Sequence, residues 1–121
     1  MLRSFIVCLV TFPGLAHAQL NWERDGVRVQ TVIYACQGAL EDLSVAYFTA
    51  ADNTSFAATQ IGGVVYAMVQ DVAASGVRFV DVNEATGYRL HGKGEALMLL
   101  KLEPDHTAEE QLLAECSALP G

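Results

Sequence analysis

A hydroxyl and an ammonium, each set directly before a glycine, are the groups in this 121-residue chain best placed for recognition chemistry. They are Ser75, in Ser75-Gly76-Val77-Arg78-Phe79, and Lys93, in His91-Gly92-Lys93-Gly94-Glu95-Ala96-Leu97-Met98-Leu99. A glycine after a polar residue lets the backbone take positive φ in a tight turn, which can hold the preceding side chain outward at a loop tip. Each pair is followed by residues that alternate or cluster as a strand does. Two such tips on a β scaffold can form a recognition surface. They can equally be two ordinary hairpin ends, and spacing alone leaves both readings open.

Other chemistries find less support. Ser75, His91 and an aspartate supply the residue types of a hydrolytic triad, but no Gly-x-Ser-x-Gly elbow exposes a nucleophile, and no enzyme is expected. The cysteines and the scattered His91 and His106 lack metal-ligand spacing, so no metal and no cofactor is expected.

The elements that must carry these residues begin after a leader. Arg3, an apolar run over 5–15 interrupted by Pro13, and Ala16-His17-Ala18 before Gln19 read as a signal peptide over 1–18, cleaved after Ala18. The run is too short for a helix to cross a bilayer. Cys8 lacks a Leu-x-Gly/Ala-Cys arrangement, so no lipid anchor is expected there. Residues 19–121 then form one small domain. It retains two cysteines, Cys36 and Cys116, and in an exported chain these read as one disulfide. It also carries six basic and fourteen acidic side chains, a formal charge of −8. That balance disfavours nucleic acid and suits a basic protein partner.

Alternating patterns predict strands over 27–34, 43–48, 55–61, 64–69, 77–82, 88–91 and 96–102, with a sharp hairpin at Gly62-Gly63. Residues 19–26 read as an extended lead-in. Thr107-Ala108-Glu109-Glu110 has capping-box spacing and predicts a short helical turn before Cys116. Short strands about ten residues apart predict an all-β antiparallel domain, and closure into a small β-barrel would remove its edges. Tyr34, Tyr47, Phe48, Phe56, Tyr66, Tyr88, Met68 and Met98 are expected to pack the barrel.

Four features in order resemble the MliC/PliC family, bacterial inhibitors of C-type lysozyme. They are Tyr34-Ala35-Cys36, Ser75-Gly76-Val77-Arg78-Phe79, Lys93-Gly94 with Leu99, and the closing Cys116. Two positions depart from the family pattern: Phe79 stands where relatives carry tyrosine, and His91 where many carry tryptophan. The resemblance implies an eight-stranded barrel, a periplasmic location without a membrane anchor, and a basic lysozyme as partner. It further implies that Ser75 and Lys93 enter the enzyme's cleft, with Gly76 and Gly94 shaping their loops. Phe79, His91 and Arg78 complete the expected partner-binding set, although Arg78, Arg89 and His91 also suit plain solvated strand positions. A different wall hydrolase as target, a small-ligand carrier and a homodimer are the alternatives the residues leave open.

Overall fold

The inward face of the chain is written in its alternation. Residues 32, 34, 43, 45, 57, 59, 68, 79, 90, 97, 99, 114 and 116 are buried while their strand neighbours are partly or fully exposed. A computed structural model describes residues 19–38, 41–102 and 110–120, and in it this pattern folds into nine antiparallel strands. They are β1 (Leu20–Arg24), β2 (Val27–Cys36), β3 (Leu43–Thr49), β4 (Ser55–Ile61), β5 (Val64–Asp71), β6 (Val77–Asp81), β7 (Tyr88–Lys93), β8 (Ala96–Leu102) and β9 (Glu110–Ala118). Each strand pairs with the next, and β2 also pairs with β9, so β2 to β9 close an eight-stranded barrel.

The closing seam is short. It runs from Tyr34↔Ala118 to Cys36↔Cys116, where the predicted disulfide joins directly opposed residues. Leu90, Leu97, Leu99 and Met68 fill the interior at 0–1% exposure. Each such side chain contributes roughly 1.5–3 kcal/mol of hydrophobic stabilisation.

Two elements differ from the sequence expectation. Residues 20–24 form a ninth strand, β1, lying along Val27–Thr31 of β2 rather than serving as a lead-in. Its turn, Asp25-Gly26, has φ of 53° and 83°, the paired positive values of a type I′ hairpin turn. Glu110 to Cys116 form strand, not helix, because β9 must pair with both β8 and β2 to close the barrel. The rest of the expected turn, Thr107 to Glu109, lies outside the described residues, as do His106 and the leader read over 1–18.

The packing expectation also needs correction at three positions. Phe48, Phe56 and Met98 face outward at 39%, 40% and 36% exposure. Phe48 and Phe56 are register partners, joined by Val29 and Trp22 on one side and Val69 on the other, in an apolar row along the outer wall. Tyr34 and Met68 are buried as expected, and Tyr66 meets Tyr88 edge-on at 4.8 Å.

Candidate functional site

The β6–β7 hairpin decides where the two glycine-linked tips stand. Its register sets Val77 opposite Gly92 and Arg78 opposite His91. The start of β6 and the end of β7 therefore share one end of the barrel, and the Ser75 loop and the Lys93 turn are brought side by side. The approach is close enough to dictate a residue. Gly76 has φ of +72°, and a Cβ built there would lie 2.2 Å from the Gly92 carbonyl oxygen and 3.3 Å from Lys93 Cβ.

Gly76→Ala is accordingly expected to destabilise the fold by about 1–3 kcal/mol and to push the two tips apart. Urea unfolding would check the first effect and the chemical shifts of residues 75 and 93 the second. Unchanged shifts with wild-type stability would contradict this account of the contact.

Ser75 is exposed, and its hydroxyl bonds to no other described residue, while its backbone carbonyl accepts from His91 Nε2 at 3.0 Å. Lys93 is exposed and forms no ion pair with another described residue. It ends β7 before a two-residue turn whose first member, Gly94, has φ of +62°. Behind these tips an open cleft of about 390 Å³ enters the barrel mouth. Tyr34, Tyr47, Thr49, Gln70 and Phe79 help to line it, and among the described residues Lys93 is the one charged member of its lining.

The Tyr34 and Tyr47 hydroxyls bond to each other at 2.8 Å. Burial pushes the pKa of both phenols above the ordinary tyrosine value, so the pair is neutral around neutral pH. An ammonium over a neutral, hydroxyl-lined mouth favours an anionic or acceptor-bearing group from a partner. Ser75 can add a hydrogen bond of either sense beside it.

Two members of the expected set are not free at the rim. Phe79 is 4% exposed and packs at 5.6 Å from the Tyr47 ring, so it supports the cleft from the core rather than standing at the rim. Its alternation along β6 turns it inward and turns Arg78 outward.

Arg78 does not stand as a free cation. Its guanidinium makes a two-pronged pair with Glu110 and lies 3.6 Å from Asp71, and Glu110 also lies 3.3 Å from Arg89 Nε. The hydrogen bond from Arg78 holds the Glu110 carboxyl below the usual glutamate range, and the same bond raises Arg78. This cluster ties β6 to β9 across the outer wall. Both arginines are thus partly buried and ion-paired, rather than freely solvated strand charges.

Sequence reading missed Thr49, Ser55 and Gln70, which line the mouth. The signal was available: Thr49 ends β3, Ser55 begins β4 and Gln70 is the penultimate residue of β5, all on the loop side that carries Ser75. Among the described residues no three His, Cys, Asp or Glu gather to hold a metal ion.

A sequence profile of the family described as membrane-bound lysozyme-inhibitor of c-type lysozyme, MliC, matches residues 34–106. No curated protein matches the chain. Among solved structures the chain is similar to PliC-St, the periplasmic lysozyme inhibitor of C-type lysozyme from Salmonella typhimurium. The TM-score is 0.60 at 16% identity, over 75% of this chain and 98% of that one, a likeness of fold.

Proposed function

The chain belongs to the MliC family of C-type lysozyme inhibitors, and from that premise we propose that it is itself a periplasmic inhibitor acting by cleft occupation. The leader over 1–18 is removed after Ala18, and residues 19–121 act as a domain without a lipid anchor. Lys93 and Ser75 enter the substrate cleft of the enzyme. Glycoside hydrolysis there uses two carboxyl groups, one as acid and one ionised. The Lys93 ammonium pairs with the ionised carboxylate, and the Ser75 hydroxyl bonds to a carboxyl in either protonation state. Substrate is excluded and no bond of the inhibitor is cut, so the protein acts as a plug and not as an enzyme.

The observation that carries this reading is the joint presentation of the two tips at one rim, with Gly76 pressed against Gly92. A single lysine at the edge of a neutral mouth is a poor general surface and a good anion contact. The acidic charge of the domain adds steering toward a basic enzyme, an effect that weakens as salt rises.

The test is lysis of a peptidoglycan suspension by a C-type lysozyme titrated with the purified domain. Stoichiometric, competitive inhibition is expected. A folded, disulfide-bonded protein that blocks no C-type lysozyme would retain the family's fold without its target.

A further inference from the structure

We infer that His91 is the positioning residue of the Ser75 loop, and that its imidazole latches this loop to the Lys93 turn before any partner arrives. The inference rests on the plug reading for its consequence but not for its geometry. Residues 72–76 join β5 to β6 without strand pairing of their own. Among the described residues, the hydrogen bond from His91 Nε2 to the Ser75 carbonyl is the one that reaches this tip from another strand. A carbonyl oxygen only accepts, so the ring nitrogen carries the hydrogen and donates. Both the Nε2–H tautomer and the imidazolium can do this.

The platform under the imidazole is fixed. His91 lies opposite Arg78 on one side and Met98 on the other, on the outer wall of the barrel. Arg78 is held by Glu110 and Asp71, so the strand beneath His91 is braced toward β5 and β9. From there the ring spans to Ser75 at the rim, two residues before Lys93 in its own strand. One side chain therefore links the two tips whose joint presentation the plug needs. A loop already ordered loses less freedom on binding, and the partner gains that difference as affinity. His91 acts through Ser75 in this account and need not touch the partner.

The first test uses the free mature protein and 15N relaxation. In wild type the Gly76 amide should show a rigid-backbone order parameter of about 0.85, and His91→Phe should lower it toward about 0.6 or below. His91→Gln, whose side-chain amide sets an N–H donor about as far from the backbone as the imidazole Nε2, should recover most of the order. Unchanged order parameters in His91→Phe would overturn the latch whether or not any lysozyme is inhibited.

The second test is the inhibition constant against a C-type lysozyme. His91→Phe should weaken inhibition about three- to tenfold, the range of one hydrogen bond, and His91→Gln should restore it. In a Ser75→Ala background the His91→Phe loss should largely disappear. An equal loss in both backgrounds would make His91 a direct contact and overturn the positioning role. A wild type that inhibits nothing would defeat the plug reading alone, and relaxation would still decide the latch.

Discussion

Lys93→Ala is expected to abolish most inhibition, raising the inhibition constant against a C-type lysozyme by about 30-fold or more. The figure follows from truncating one partner of a desolvated charge pair, which costs roughly 2–5 kcal/mol at about 1.4 kcal/mol per tenfold. Much of that cost is the enzyme carboxylate left buried and unpaired, not the lysine contact itself. The fold gives the variant little reason to misfold. Lys93 is exposed, ion-paired to no described residue, and its turn geometry belongs to Gly94. Loss of the Ser75 hydroxyl should cost less, about 0.5–3 kcal/mol, because a neutral donor is removed and water can replace it. The paired lysis assay decides the matter: a folded Lys93→Ala protein that inhibits like wild type would sink the plug mechanism. A large loss confined to slower association, vanishing at high salt, would place Lys93 in steering rather than in the cleft.

The sequence made most of the barrel readable because burial alternates over much of each strand whose inner face is core. β8 runs over the predicted 96–102, and β6 departs from its prediction by one residue. β1 escaped because all five of its side chains are exposed, so it shows no burial period. Its turn was legible, since Asp-Gly is a strong hairpin signal. β9 misled for a different reason. A register shift between Leu99 and Leu100 lets Leu112 and Leu113 both face outward, so their adjacency mimicked a helical cluster. The two tips of the site were visible as Ser75-Gly76 and Lys93-Gly94, and the hairpin between them brings them together. What local spacing could not carry was any contact across several strands. Arg78 meets Glu110, 32 residues away, only because β6 and β9 curve around one wall. His91 reaches back 16 residues to a backbone carbonyl that no residue type advertises.

That same curvature makes the Cys36–Cys116 bond the largest single stability term expected from one substitution pair. The bond closes a separation of 80 residues, and loop-closure entropy puts its contribution at about 4–5 kcal/mol. A domain of this size holds about 5–15 kcal/mol in all. Cys36→Ala with Cys116→Ala should therefore lower the urea midpoint by at least about a quarter of its wild-type value, or leave the chain unfolded at 37 °C. The seam explains why nothing nearby compensates. β2 and β9 pair only from Tyr34 to Cys36, whereas β8 and β9 pair from Ala96↔Ser117 to Leu102↔Glu110. Cys116 is also 4% exposed, so alanine there leaves a small void in addition. The site should feel the change. The Ala118 amide, opposite Tyr34 in the seam, donates to the Glu95 carbonyl at 2.8 Å, and Glu95 completes the turn that follows Lys93. A loosened seam thus releases the Lys93 turn before the barrel opens. Inhibition by the double-alanine protein should fall at temperatures where its core strands remain protected from hydrogen exchange. A variant within about 1 kcal/mol of wild-type stability would show that the strand ladder alone closes the barrel.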